Sequence, residues 1–494
     1  MSNLNDKDLL IEIIDNPEGQ KFQNLLKKEV LEYIGKDTLP ENLSFPLDDK
    51  TIKLLSKLKN YCIENKKNDL PNSKAEDLDA LWTKLVEKSI KCLRLFDTRE
   101  PFHAKPDKTI VAYDIEKLTQ VHKTCTKFEG MLYGSSASYR DHRFHAFRTW
   151  LIGLYVIIVR DFQVTDLDGV KENWEKYGGI TNCEKISMWT IIAFCHDLGY
   201  PWEKVKEMLK FIEKTLKEIL IDPIITADFS FKGTQAWKIE DIVNFISTKM
   251  KISTNEGETY NARKQSKYRI KFIESLEGSN HGIMSAIILC IKLLYFKESD
   301  FGLNEDYEYN PEDARQFYIR REILRAIAAH TCPDIYNVKI TTFSSLLYIC
   351  DEIQNWARKD WYELYSAQEE NSKNVTINEF SENEIHYTEE IELKEEGKIG
   401  EFVFNSFDKG YSKYKKKFRD GQDSTQRNFD IIIKVIGKKG GHGLEGPTVE
   451  ITISIKGNNQ NDTFEVLYIH CSDDEKMKLT KIENSVFFHE FIQK

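Results

Sequence analysis

Long apolar runs are missing from this sequence. The longest candidate, Trp150 to Val159, falls well short of the roughly 20 residues that cross a bilayer, so no membrane span is expected. C-x-x-C pairs are missing too. The nine cysteines, Cys62, Cys92, Cys125, Cys183, Cys195, Cys290, Cys332, Cys350 and Cys471, are odd in number and scattered. That argues against a disulfide framework and against cysteine-bound structural zinc, and reads as reduced thiols, many of them in the core. The opening MSNLNDKDLLIEII has no basic flank, apolar core and small-residue cleavage site, so no secretory leader is read there and a cytoplasmic location is expected. Positive charge is not in excess either. A formal net charge of -10 does not favour duplex DNA, although a local patch can still hold nucleic acid. For a small anion such as a nucleotide, local arginines and metals matter more than the net charge.

What is present is ordinary for a soluble globular protein: 40% hydrophobic and 30% charged residues over 494 positions, enough for two or three domains. Residues 1–110 read as helices and polar connectors. Ser73-Lys74-Ala75-Glu76 has capping-box form, and Leu78, Leu81, Trp82, Leu85 and Leu93 follow at helical spacing. No chemistry is read in this region, which is expected to pack on the main domain or on a partner subunit. Residues 111–365 are mostly helical. One apolar stripe runs through Trp202, Val205, Met208, Leu209, Ile212 and Leu216, another through Phe343, Leu346, Leu347, Cys350 and Ile353. The polar stretch from about Ile221 to Ser275, centred on STNEGETYNARKQSKYR, reads as an insertion or flexible loop.

Beyond residue 365 the apolar period changes from 3.6 to 2. Val449, Ile451, Ile453 and Ile455 alternate with polar residues, and Asn428–Val435 and Thr463–His470 also read as strands, with GKKGGHGLEGP as a connecting loop. The expected class is a mainly α core with a helical N-terminal region and a smaller C-terminal α+β domain over 366–494. Lys415-Lys416-Lys417 is expected to be a solvated face. His386, His442, His470 and His489 have no mutual metal spacing and are expected to contribute no ligand.

The most informative stretch is CHDLGYP, Cys195 to Pro201. An apolar helix over Ser187 to Cys195 precedes it, and Gly199 and Pro201 read as its stop. His196 and Asp197 then sit at a rigid helix end. Imidazole and carboxylate there can bind one metal together, or the carboxylate can bridge two. His145 opens a second apolar helix and His281 a third. AIAAH ends a helix at His330, and LLYICD places Asp351 within an apolar helical face, where a carboxylate is rarely buried unless paired or metal-bound. Each residue alone has a bland reading, as a satisfied core histidine or an aspartate paired with arginine. The order His, His-Asp, His, His, Asp on successive helices is what singles them out.

That order resembles the HD superfamily of metal-dependent phosphohydrolases over roughly residues 139–358, with HAFRTW similar to its first-histidine helix, FCHDLGYP to its namesake motif and LLYICDEIQNW to its terminal-aspartate helix. HGIMSA and AIAAHT look like segments of the HD-type diadenosine tetraphosphate hydrolases. The resemblance implies two divalent metal ions, drawn from Mn, Fe, Mg or Zn. It implies that His145, His196 and Asp351 hold one, that His281 and His330 hold the other, and that Asp197 bridges and orients the nucleophile beside His196. The sequence departs from the cyclic-dinucleotide phosphodiesterases of the superfamily, because Tyr200 stands where they carry a lysine three residues after the motif aspartate. It also lacks a clear match to the extra catalytic histidines of the deoxynucleotide triphosphohydrolases. The implied activity is cleavage of a phosphoester or phosphoanhydride of a nucleotide or nucleoside polyphosphate.

Candidate substrate groups are His142, Arg143, Arg148 and Lys204, by their closeness to the motifs, and a basic cluster of Arg263, Lys264, Lys267 and Arg269 lies in the polar stretch. The same ligand order also occurs in di-iron oxygenases of the HD type, and a nucleotide sensor that signals through its C-terminal domain stays open. Partners expected are a nucleotide-like small molecule and, compatibly, further copies of the chain.

Overall fold

The first helices are started by side chains that accept from free backbone N–H groups. Asn5 caps α1 (Asp6–Ile14), Asn16 caps α2 (Pro17–Ile34), whose Pro17 sits where no N–H is needed, and Asp48 caps α3 (Asp49–Glu64). At α4 (Ala75–Leu95) the expected capping box does not form. A 3-10 turn over Asn72–Lys74 leads straight into the helix, and Lys74 makes no side-chain cap. α5 spans Lys108–Leu132.

The computed structural model describes residues 4–38, 44–97, 108–132, 141–164, 180–218, 234–253, 259–297, 307–333, 335, 338–354, 356, 372–393, 403, 413–414, 417–418, 430–439, 448–455, 463–469, 473–474, 476–478 and 480–481. Among the described residues no helix is long and apolar enough to cross a membrane.

Two helices that are apolar all round form the centre. α6 (His142–Ile158) starts at the Asp141 cap and is buried along nearly all its length. α7 (Asn182–Cys195) starts at a true capping box, in which Thr181 accepts from the Glu184 backbone and Glu184 accepts from the Thr181 N–H. The two helices are pinned by indoles: Trp150 Nε1 donates to Thr190 Oγ1 at 3.1 Å, and Trp189 Nε1 donates to the Trp150 carbonyl at 3.1 Å. Burying two such rings stabilises this seam by several kcal/mol, on the order of 25 cal/mol per Å² of apolar surface.

The N-terminal helices share that core. Trp82 of α4 donates to the Phe194 carbonyl at 3.0 Å, and Leu9, Leu26, Leu85 and Trp150 belong to one continuous apolar cluster. Packing therefore runs across residue 110 without a break.

Four residues separate α7 from α8 (Tyr200–Glu218), so Pro201 opens a helix rather than only stopping one. The stretch read as an insertion or flexible loop holds regular structure where it is described. It contains α9 (Thr234–Ile246), an antiparallel pair β1 (Thr248–Ser253) and β2 (Thr259–Lys264), and α10 (Ser266–Glu277). α11 (His281–Lys292), the short α12 (Leu294–Lys297), α13 (Pro311–His330) and α14 (Phe343–Ile353) complete the helical body.

The C-terminal strands form one five-stranded sheet in the order β3-β4-β5-β6-β7, over Ser372–Phe380, Glu384–Leu393, Asp430–Lys439, Thr448–Ile455 and Thr463–Ile469. All neighbours are antiparallel except β4 and β5. Ile431, Ile433, Val435, Val449 and Ile451 alternate into the core as the period-2 pattern predicts. The sheet is sewn onto the helices. Leu4 donates from its backbone to the Val375 carbonyl at 2.7 Å, and Arg160 donates to the Ile377 carbonyl at 2.9 Å.

Lys417 overturns the expected solvated face. It is buried, and its ammonium donates to the carbonyls of Ala329 and Cys332, both at 2.7 Å. GKKGGHGLEGP lies mostly outside the described residues, as do His442, His470 and His489.

Candidate metal centre

Helix ends carry all six candidate ligands. His145 lies in the first turn of α6, His196 closes α7 with Asp197 next to it, His281 opens α11, His330 closes α13, and Asp351 lies near the end of α14. Helix ends can meet at a point only where backbones approach closely, and two glycines permit this. A Cβ on Gly199 would lie 2.3 Å from the His281 carbonyl oxygen, and one on Gly282 would lie 2.6 Å from the Ile327 carbonyl oxygen and 2.9 Å from His330 Nδ1. Hydrogen bonds lock the approach. The Gly199 N–H donates to Ser285 Oγ at 2.7 Å, and the Gly282 N–H donates to Thr331 Oγ1 at 3.1 Å.

The six side chains converge. Ligand atoms of His145, His196 and Asp351 lie within 4.8 Å of one another, as do those of His196, Asp197 and His330. His281 joins them, with Nε2 3.1 Å from Asp197 Oδ1 and 3.2 Å from His330 Nε2. Asp197 faces both ways. Its Oδ2 is 3.3 Å from His196 Nε2 and 3.6 Å from His145 Nε2, and its Oδ1 lies toward His281 and, at 3.7 Å, toward His330. His145 Nε2 is 2.8 Å from Asp351 Oδ1.

The orientation of the rings tests the fit to metal. His196 Nδ1 donates to the Ala193 carbonyl at 2.8 Å and His330 Nδ1 to the Ile327 carbonyl at 2.6 Å. A carbonyl oxygen has no proton to give, so each of these rings carries its proton on Nδ1. His145 Nδ1 meets Gln354 Oε1 at 2.7 Å, and His281 Nδ1 meets Glu203 Oε2 at 2.8 Å. All four imidazoles thus turn Nδ1 outward to an acceptor and Nε2 inward, which is how protein imidazoles are oriented for a metal. With a single proton on Nδ1, each ring would turn an Nε2 lone pair to its neighbour, 3.2 Å apart for His281 and His330 and 3.4 Å for His145 and His196. Such a pair repels unless a cation or proton lies between. Two donors each about 2.1 Å from one ion are about 3.0–3.4 Å apart at tetrahedral or octahedral angles, so the spacing suits a divalent ion. The donor set of imidazole and carboxylate suits Mn, Fe or Zn, and the residues present could hold metal at both ends of Asp197.

The charges respond to the same crowding. Burial lowers the His281 imidazole, but the Asp197 and Glu203 carboxylates override it and push it up to about 10. Burial works against His196 also, and Asp197 again lifts it. His330 is lowered by burial, with the neighbouring His281 and His196 adding to the effect. Burial raises Asp197 and Asp351, yet their imidazole neighbours hold both well below the usual carboxylate range.

The other candidates separate. His142 is beside the centre, with Nε2 3.8 Å from Asp197 Oδ2 and its ring 4.0 Å from that of Tyr200. Lys204 stands 4.9 Å over the Tyr200 ring and bonds Glu207. Arg143 is held by Asp141 at 3.0 Å and Asp79 at 3.7 Å. Arg148 turns away: it forms a buried two-pronged pair with Asp6 of α1, at 2.9 and 3.0 Å, so its role is to fasten the N-terminal helix. His386 lies on β4 beside Glu384, and neither group of candidate ligands among the described residues includes it. Glu203 and Gln354 were missed in the sequence, although Gln354 follows Asp351 by three residues on one helical side and Glu203 sits in the first turn of α8. No family model, curated protein or solved structure matches the chain.

Proposed function

We propose that this chain is an HD-type phosphohydrolase that cleaves a phosphoester or phosphoanhydride of a nucleotide or nucleoside polyphosphate at a two-metal centre. The observation that carries the reading is the placement of Asp197, whose two oxygens each look at a pair of inward-turned Nε2 atoms. His145, His196 and Asp351 would hold one ion, His281 and His330 the other, with Asp197 shared. Divalent ions bound there supply acidification of water toward neutral pH and screening of phosphoryl charge.

The chain's own residues account for the remainder. Asp197 is too committed to its imidazole neighbours to act as a free base, so its task is orientation. Gln354 and Glu203 fix the tautomers of His145 and His281. Tyr200, His142 and Lys204 stand together beside the carboxylate and supply donors for anionic oxygens. A small cavity of about 30 Å³ between α4, α5 and α6, lined by Asp79, Trp82, His122, His142 and Asp197, adjoins them and has room for a water or two.

Metal content of purified protein, joined to phosphate release from a panel of nucleotides with added Mn, tests the reading. About two ions per chain and turnover that Asp197→Asn abolishes are expected, because a neutral amide bridges two cations poorly. No metal uptake would end it. Oxygen uptake with iron and no phosphate release would replace it with a di-iron oxygenase, and tight nucleotide binding without turnover would replace it with a sensor.

A further inference from the structure

On a chain of net charge -10, one surface gathers cations. Met250, Tyr260 and Ala262 of the β1–β2 ribbon point into the core, which turns Lys249 and Arg263 outward, both exposed. The register sets these two directly opposite each other. Like charges across a strand pair are unfavourable by a few tenths of a kcal/mol or more. Lys264 and Lys267 follow, also exposed, and the first turn of α10 holds no acidic residue. Among the described residues no carboxylate lies within ion-pair distance of Lys249, Arg263, Lys264 or Lys267, whereas Arg269 is answered by Glu240 at 3.0 Å.

The ribbon is rigidly seated. Its Thr248 carbonyl accepts from Arg321 and from Arg325, each at 3.2 Å, and the Gln265 N–H donates to the Ser247 carbonyl at 3.0 Å. An exposed aromatic residue adjoins the ribbon. Asn261, on the same outward face as Arg263, donates from Nδ2 to the Tyr307 carbonyl at 3.0 Å, and the Tyr307 side chain is 42% exposed.

We propose that this ribbon face, with Lys267 and Tyr307, binds single-stranded nucleic acid, the cations taking backbone phosphates and the tyrosine stacking a base. Cations with no carboxylate partner among the described residues, on a ribbon that an exposed tyrosine adjoins, are the combination that sequence-tolerant single-strand binding uses. The acidic remainder of the chain opposes the long charged rod of a duplex more than a short strand on one patch. The patch is separate from the metal centre. Arg325, at its base, lies five residues before His330, about 140° around α13 at roughly 100° per residue.

Fluorescence anisotropy of a labelled oligouridylate of about 12 nucleotides, titrated with the full chain in EDTA at two salt concentrations, tests this apart from any metal-dependent activity. Saturable binding that weakens steeply with salt is expected. Lys249→Glu with Arg263→Glu should weaken it more than tenfold, and Tyr307→Ala by fivefold or more. Lys249→Glu alone should hold or raise the melting temperature, since it turns a repulsive cross-strand pair into an attractive one. Should the double reversal unfold, Lys249→Gln with Arg263→Gln should lower the salt slope by about two. No saturable binding at about 100 µM protein, or affinity unchanged in the folded variants, overturns the proposal. So does equal binding to phosphatidylserine vesicles through the same residues.

Discussion

Glu203 accepts twice from one residue: the His281 backbone N–H reaches its Oε2 at 2.9 Å and the His281 ring Nδ1 reaches the same oxygen at 2.8 Å. The carboxylate therefore sets both where α11 starts and which way its first imidazole points. Glu203→Gln keeps the shape and one acceptor but removes the charge. Metal affinity at the His281 side should fall about 10- to 100-fold, as for other partners of metal-bound imidazoles, while the far-UV spectrum stays unchanged. Competition against a chelating dye reads this directly, and equal affinity in the two proteins would show Glu203 to be incidental.

Metal uptake should release protons. Without a cation His281 is pushed up to about 10, so at pH 7 it holds a proton that an incoming ion must displace. The sign follows: affinity rises with pH as this proton becomes easier to remove, and falls as the solution is acidified. Calorimetric titration of Mn or Zn at pH 7, in two buffers of different ionisation enthalpy, should report at least about one proton released per chain. Heats independent of buffer would contradict the charge state inferred for the cluster.

Much of this centre is legible in the sequence because each ligand marks the end of an apolar helix, and helix ends are written locally. His145, His196, His281, His330 and Asp351 all fall where caps, glycines and apolar stripes place them. What escapes is the identity of distant partners. Arg148 lies three residues from a ligand, yet its charge is answered by Asp6, 142 residues away. Thr181 and Glu184 form the capping box that Ser73 and Glu76 only spell, because Glu184 is also buried against Arg315. β4 went unread because the glutamates of EIHYTEEIEL obscure its buried Ile385, Tyr387 and Ile391.

Asp69 should make the fold sensitive to mild acid in an unusual direction. Burial and the nearby Asp6 carboxylate raise it to about 6, against the pull of Arg148. An unfolded aspartate titrates near 3.9. Between about pH 4 and pH 6 the folded chain thus holds a proton that the unfolded chain has lost. This group's contribution is most favourable below pH 4 and declines as pH rises through 6. Asp69→Asn keeps an acceptor for the Asp6 N–H, which Asp69 Oδ1 meets at 3.2 Å. It should stabilise the protein at pH 7 by on the order of 1–2 kcal/mol and flatten the profile between pH 4 and 6. Urea midpoints across that range give the comparison; a destabilised variant at pH 7 would mean that the charge is needed.

Lys417 separates the structural account from the local one most sharply. As one of three consecutive lysines it reads as a surface residue, and replacing such a residue changes stability by less than about 0.5 kcal/mol. In the fold its ammonium is buried and satisfies the Ala329 and Cys332 carbonyls, the ends of the chain on either side of His330. The last carbonyls of a helix have no partner within it, and a cation there also opposes the negative end of the helix dipole. Lys417→Met would keep the bulk but take the ammonium donor from two buried oxygens, leaving the Cys332 carbonyl only the long 3.4 Å bond from the Ile335 N–H, at about 1–3 kcal/mol. The loss should reach the metal centre, since His330 is the last residue of that helix and its Nδ1 rests on the Ile327 carbonyl. A melting temperature lowered by several degrees together with weaker metal binding is the expected pair of results. Lys417→Arg, which keeps the charge and donors, should recover part of both. If Lys417→Met melts like the unmodified chain, Lys417 does not brace His330.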